Sequence, residues 1–304
     1  MGTVRVLVTR PAPDALAWTQ QLQQDGIAAE AFPLIEIAPL PAAANQQALE
    51  QAWQSLAGYS ACMFVSGHAV EHFFGRNTAY VQQIRPFLAI NTIANGFPAH
   101  LPAKLRFMAP GPGTVAALVA AGISPDRIDA PAPDAPQFDS EALWQVIGQR
   151  DWQGRRVLVL RGQGAGAAQG STASSGRDWL ARQWEAAGAQ VDFLGVYQRL
   201  APMLGEAQVR RAIAASADGS VWLFSSSEAV ANLAGVPGLA GVDWRRARAV
   251  VTHPRIAETV RALGWGVVVE SRPALADVRA TLSGGSVTSK YGTRVRTTDP
   301  TTYC

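Results

Sequence analysis

The sequence is short of cysteine, of lysine and of long apolar runs, and each shortage removes a class of protein. Only Cys62 and Cys304 occur in the 304 residues. Cys62 lies inside an apolar, strand-like run and Cys304 is the last residue, so neither a disulfide framework nor a cysteine metal site is expected. No apolar run approaches the roughly eighteen residues of a membrane span, and the opening MGTVRVLVTRP passes straight into a strand pattern instead of a signal peptide. These readings predict a cytoplasmic protein with no membrane partner. Lysine occurs only at 104 and 290, against 24 arginines. An excess of arginine suits bidentate carboxylate binding, and a GC-rich coding sequence produces the same bias. Charged residues make up 16% of the chain and the net charge is +3, of which Lys290, Arg294 and Arg296 against Asp299 supply +2. The remaining body is nearly neutral, which argues against a nucleic-acid partner.

What is present is apolar material, 48% of the chain, enough for two ordinary cores. The sequence also says similar things twice. VRVLVTRP (4–11) reads as a buried strand and turn, followed by a helix over 14–27 ended by Gly26 and an extended AEAFPLIEIAPL (29–40). RRVLVLRG (155–162) begins the same series, with a helix over 177–191 ended by Gly188 and then VDFLGVYQRLAP (191–202). ACMFVSGHAVEHFF (61–74) and SVWLFSSSEAVANL (220–233) are each strand, small polar turn and helix. FMAPGPGTVAALVAAGI (107–123) and AVVTHPRIAETVRALGW (249–265) are each strand, proline-containing turn and helix.

Two halves with one βα plan predict an α/β fold of two similar parallel-sheet domains, with ligand sites at the carboxyl ends of the strands. The extended pieces 33–40 and 196–202 suit a two-stranded linker, which makes one domain discontinuous. The expected boundaries are 1–37 with 199–282 for the first domain and 38–198 for the second. Residues 283–304, polar and without apolar periodicity, read as a disordered tail.

In order along the chain, VLVTRP, PLIEIAPL, VSGHAV, APGPGT, DSEAL, VLVLRG, VYQR, LFSSSEAV and HPRIA resemble uroporphyrinogen-III synthase, over roughly residues 4 to 282. The resemblance implies two α/β domains joined by a two-stranded linker, a ligand held between them, no cofactor and a monomer. It implies hydroxymethylbilane as substrate, a linear tetrapyrrole with eight carboxylates, with hydroxymethylbilane synthase as a hand-over partner. The reaction would be dehydration and ring closure with inversion of ring D. His68 stands where the family more often has Asn, residues 162–176 lengthen one loop, and HPRIA differs from the Gly-Pro-Thr-Thr form of part of the family.

On that footing Tyr197 is the candidate proton donor to the leaving hydroxyl, with a packing role in the linker as the alternative. Helix starts after 66–68, 111–114, 225–227 and 253–256 would supply backbone donors for carboxylates. Ser66, Gly67, His68, Gly113, Thr114, Ser225, Ser226, His253 and Arg255 are the candidate substrate contacts there. Arg10 and Arg161, at equivalent strand ends, are either anion contacts or surface ion pairs.

Three other patterns favour plainer readings. His68-Ala-Val-Glu71-His72 has the H-x-x-E-H spacing of a zinc-peptidase class, but no third ligand is evident and the repeated half has no histidine, so a helix surface is expected. Gly162-Gln-Gly164-Ala-Gly166-Ala167 fits a loose dinucleotide fingerprint without the helix that must start within it, and a flexible loop over 162–176 is expected. Asp139-Ser140-Glu141 reads as a helix cap. The nine tryptophans, scattered along the chain, are expected to be separate core or helix-surface residues. The competing functions are a non-catalytic two-domain binding protein for an anionic small molecule and a nucleotide-dependent transferase, the latter lacking a phosphate loop.

Overall fold

In the computed structural model, residues 5–84, 101–164 and 177–284 are described. The chain forms two units, Met1–Ile35 with Ala201–Cys304, and Glu36–Leu200. Unit 1 contains β1 (Val6–Val8), α1 (Ala12–Gln24) and β2 (Ala29–Ala31) from the first segment. From the second it takes α7 (Glu206–Ala215), β9 (Val221–Phe224), α8 (Ser227–Ala234), β10 (Arg248–Val251), α9 (Pro254–Ala262), β11 (Val267–Glu270) and α10 (Leu275–Ser283). Unit 2 runs β3 (Glu36–Pro39), α2 (Ala42–Gln54), β4 (Ala61–Phe64), α3 (Gly67–Ile84), β5 (Arg106–Met108), α4 (Pro112–Ala120), β6 (Ile128–Asp129), α5 (Ser140–Ile147), β7 (Arg156–Gly164), α6 (Arg177–Ala186) and β8 (Gln190–Leu200).

The sheet of unit 1 has the order β11-β10-β9-β1-β2 and is parallel throughout. That of unit 2 has the order β3-β8-β7-β4-β5-β6 and is parallel except for β3. The orders coincide strand for strand, β9, β10, β11, β1 and β2 matching β4, β5, β6, β7 and β8. The registers coincide too: Val6 pairs with Val221 and Ala29, as Val157 pairs with Ala61 and Val191. Helices on both faces bury β1, β4, β9 and Val157–Leu160 of β7 completely, which is why these read as unbroken apolar runs. Burial pushes the Cys62 thiol far up from its ordinary range, so within β4 it is a small apolar filler. Gly26 and Gly188, at φ +77° and +84°, end α1 and α6 in the left-handed conformation that glycine tolerates best.

The duplication extends to charge. Arg5, beside the first residue of β1, pairs with Glu30 of β2 at 3.5 Å, and Arg156 of β7 pairs with Asp192 of β8 at 2.6 Å, the same register in both units. In unit 2 the Tyr59 hydroxyl also donates to Asp192, and its pKa is pushed up to about 12 by burial and by that carboxylate. It is therefore a neutral donor at physiological pH. The extended pieces around 36–39 and 197–200 pair antiparallel, Glu36 with Leu200 and Pro39 with Tyr197.

Three sequence expectations are corrected. Trp222, Trp244 and Trp265 form one aromatic cluster, with Trp244 stacked on Trp265 at 4.9 Å, while Trp144 and Trp152 both pack edge-on against Trp184. Spacing along the chain concealed this because each ring comes from a different βα unit. Gly162 to Gly164 belong to β7 and are not loop, because β8 continues to pair with them; residues 165–176 lie outside the described residues. The helix α10 includes Ser283 and is closed by Gly284, so these two residues do not belong to the expected tail; the rest of that expectation, residues 285–304, lies outside the described residues.

The edge of the unit 2 sheet is closed by one buried carboxylate. Asp129 of β6, 5% exposed, accepts from both terminal guanidinium nitrogens of Arg150 at 2.6 Å and from Nη2 and Nε of Arg106 at 2.6 and 3.1 Å. Burial opposes its ionisation, yet the hydrogen bonds from Arg150 and Arg106 outweigh it and hold Asp129 below the usual carboxylate range. A folded-state pKa lower than the unfolded one means stability that is complete above about pH 4 and lost as the pH falls through the folded value. Asp129→Asn should therefore cost about 2–3 kcal/mol at neutral pH and flatten the acid limb of a plot of thermal midpoint against pH below about pH 4. Parallel acid limbs for the two proteins would show that Asp129 does not carry this dependence.

Candidate functional site

Polar side chains gather in unit 2 where β4, β5, β7 and β8 end. The chain leaves β4 through Val65 and Ser66 into α3, and Ser66 Oγ accepts the Ala69 N–H at 3.2 Å, capping the helix. The same Oγ lies 3.0 Å from the hydroxyl of Tyr197 on β8. Tyr197 is 3% exposed, and it reaches this position because β7 and β8 change register between Arg161 and Gly162, after which Gly162 stands opposite Tyr197. Gly162 has to be glycine for packing reasons: a Cβ there would fall 2.4 to 2.9 Å from Cε2, Cζ and the hydroxyl of Tyr197. Two imidazoles complete the surround. His72 stacks on the phenol ring at 5.5 Å and 29°, and His68 meets it edge-on at 6.1 Å and 68°, with His68 Nδ1 3.2 Å from Glu71 Oε2. Arg199 donates to the Gly162 carbonyl at 2.9 Å.

The next turn, after β5, brings α4 close to α3. A Cβ on Gly67 would lie 3.5 Å from the Ala117 methyl and 3.8 Å from the Gly113 carbonyl, so the small residues set the approach of the two helix starts. No side chain caps α4, whose first turn contains Gly113 and the buried Thr114. At its N-terminal end Pro112 has no N–H and the Gly111 carbonyl accepts those of Thr114 and Val115, so the Gly113 N–H is the backbone donor that can meet an anion. Asp139 caps α5, accepting the Ala142 N–H at 2.9 Å.

Unit 1 has the matching turns. Ser225 and Ser226 follow β9, and Ser226 Oγ accepts the Glu228 N–H at 3.1 Å. After β10, His253 caps α9 by accepting the Arg255 N–H on Nδ1 at 3.1 Å. With Nδ1 accepting in this way, Nε2 is the ring nitrogen left to donate. Arg255 is exposed. Arg10 lies 4.4 Å over the Trp18 ring and 3.4 Å from Asp14.

Of the residues marked in the sequence, Ser66, Gly67, His68, Gly113, Thr114 and Tyr197 belong to one edge of unit 2. Arg161 ends the same strand set but is turned to the other face of the sheet. It is 5% exposed and its guanidinium lies 4.4 Å over Phe193, with the Val157 and Val159 layer, whereas Tyr197 packs with the Leu158 and Leu160 layer. The caps also refine the expectation for helix starts. In α3, α8 and α9 one N–H each is already taken by Ser66, Ser226 or His253, which leaves those side chains' own protons as the donors they can offer. His72 and Gly162 were not assigned to the site from sequence. The H-x-x-E-H pattern directed attention to metal ligands, although among the described residues no group of three or more His, Cys, Asp or Glu is placed to hold an ion. Nor is any helix among the described residues long and apolar enough to cross a membrane.

Residues 17–278 match the family model for uroporphyrinogen-III synthase HemD. A mutant uroporphyrinogen III synthase from the extremely thermophilic bacterium Thermus thermophilus superposes with a TM-score of 0.53 at 17% identity, covering 92% of this chain and 96% of that one. The uroporphyrinogen-III synthetase of Helicobacter pylori has a TM-score of 0.45 at 13% identity, over 92% and 99% of the two chains. The first of these likenesses places the chain in the two-domain α/β fold.

Because a methyl at 162 would have to displace the Tyr197 ring, Gly162→Ala should lower the stability of unit 2 by about 1–3 kcal/mol. Gly164→Ala, where a Cβ meets nothing within 4 Å, should change it by less than about 0.5 kcal/mol. Denaturant titration of the two variants checks this, and equal losses would mean that the Gly162–Tyr197 approach is not a packing constraint.

Proposed function

The chain belongs to the uroporphyrinogen-III synthase family, and from that premise we propose that it dehydrates and cyclises hydroxymethylbilane to uroporphyrinogen III, with inversion of ring D. One observation carries the reading for this chain: a tyrosine hydroxyl held by a serine at the start of a helix. Loss of the bilane's hydroxyl is driven by its own pyrrole nitrogen, which pushes electrons toward the departing oxygen and leaves an azafulvene. No protein nucleophile is required. A proton delivered to that oxygen lets it leave as water, and such assistance is worth about 10²–10⁴-fold. Tyr197 supplies that proton, and the resulting phenolate is stabilised by the Ser66 hydroxyl and by the positive end of α3. The proton released when the last pyrrole regains its aromaticity after ring closure restores the phenol.

Selectivity is a matter of binding, since the free bilane closes unaided without inversion. Holding it in the geometry that favours the spiro intermediate draws on proximity and orientation. Eight carboxylates provide the handles. At the unit 2 edge, the Gly113 N–H at the uncapped start of α4 and the Thr114 hydroxyl are the donors, the Ser66 proton being held for Tyr197; Ser225, Ser226, His253, Arg10 and Arg255 offer a set of the same kind in unit 1. Arg161, behind the sheet, is assigned to shaping β7 and not to direct contact. The reactivity of the free bilane also favours direct supply by hydroxymethylbilane synthase in the cytoplasm, with this chain acting as a monomer.

The test is to add freshly prepared hydroxymethylbilane to the purified protein, oxidise the products and separate the uroporphyrin isomers. The reading expects type III to form far above the spontaneous background of type I. Type I alone, at the uncatalysed rate, would overturn it.

A further inference from the structure

The two units provide an internal control. Their strand-turn-helix segments 61–70 and 221–230 have identical patterns of burial residue by residue, so Ser66 corresponds to Ser226, His68 to Glu228 and His72 to Asn232. Counting from the equivalent pairs Val157–Val191 and Val6–Ala29, Tyr197 corresponds to Ile35. The scaffold therefore folds with no imidazole in these places when no phenol stands beside them. In unit 1, Asn232 instead donates to the Leu34 carbonyl at 2.7 Å, tying its helix to the segment that follows β2. In unit 2 that position presents a flat ring, stacked at 5.5 Å and 29° on Tyr197. At these equivalent positions the two histidines and the tyrosine occur together, in unit 2.

We propose that His72 is a positioning residue for Tyr197: its imidazole face and the bare Cα of Gly162 confine the phenol ring so that the hydroxyl stays on Ser66 Oγ. The hydroxyl is fixed at a single point 3.0 Å from Ser66, and one hydrogen bond leaves a phenol free to swing about it. Contacts on the ring remove that freedom. His68, edge-on at 6.1 Å, adds a third side, and its Nδ1 is turned to Glu71. A stacked face is what the clamp requires at position 72, and an aromatic without ring nitrogens also presents one. Displacing a reacting group by about an ångström costs as much as 10²-fold in rate, which sets the scale of the effect.

The proposal rests on the function given above, and its test keeps the two separable. In the type III assay, His72→Ala should lower kcat roughly 10- to 100-fold with KM changed less than about twofold. His72→Phe should recover kcat to within about threefold of wild type, since it restores the stacked face. An unchanged kcat in His72→Ala, or a correctly folded His72→Phe as impaired as His72→Ala, overturns the positioning role. A wild-type protein inactive on the bilane refutes the assigned function and not this inference, which then stands on a second readout. With ring-labelled tyrosine and the Tyr197 signal assigned by its loss in Tyr197→Phe, ring flipping should be slow in wild type and His72→Phe and fast in His72→Ala. Equal flipping in all three overturns the clamp whatever the activity.

Discussion

The hydrogen bond between Tyr197 and Ser66 spans 131 residues of sequence at 3.0 Å, and the arrangement of unit 2 around it follows from what that contact demands. Ser66 must stand at a helix start, so β4 must end where α3 begins. Tyr197 must reach over the end of β7, so β7 and β8 change register between Arg161 and Gly162 and residue 162 must lack a side chain. The ring must then be held from its sides, which His72 and His68 do. Each requirement is steric or electrostatic, and each is met by a residue whose type would otherwise look incidental.

A duplicated parallel sheet makes such a site possible at low structural cost. Strands covered on both faces have little room for polar groups at their centres, so polar chemistry is pushed toward their ends and the turns beyond. Both units obey this, down to the equivalent pairs Arg5–Glu30 and Arg156–Asp192 that close the amino ends of β1 and β7. They differ where function is assigned. The turn after β9 keeps its serine cap, but the residue that corresponds to Tyr197 by strand register is Ile35, which carries no hydroxyl. One scaffold thus serves twice, with the reactive group added to a single copy.

Much of this was legible in the sequence because it is written in local terms. Repeated strand-turn-helix segments, glycines after helices, and serines at strand ends gave the α/β plan and placed Ser66, Ser226 and Thr114 in the right turns. Long-range consequences were not legible. The change in register that puts Gly162 against Tyr197 leaves no periodic trace, so the glycines of 162–164 read as loop. The alternation that turns Arg161 toward Phe193 depends on that strand continuing unbroken, and it separates a residue expected at the site from the tyrosine. His72 was visible only as half of a metal-ligand spacing, since its aromatic partner lies far downstream. The tryptophans failed for the same reason: residues distant along the chain share one layer when sheets are parallel.

The central claim is a division of labour, in which Tyr197 gives a proton and the rest of the edge holds the bilane. Replacing the hydroxyl alone separates the two. The rate and the isomer composition of the product should be measured together for Tyr197→Phe, which keeps the ring between His72 and Gly162. The account predicts a turnover lowered by about 10²-fold or more, with type III still the main enzymatic product. Unchanged turnover, or a product switched to type I at an undiminished rate, would contradict it.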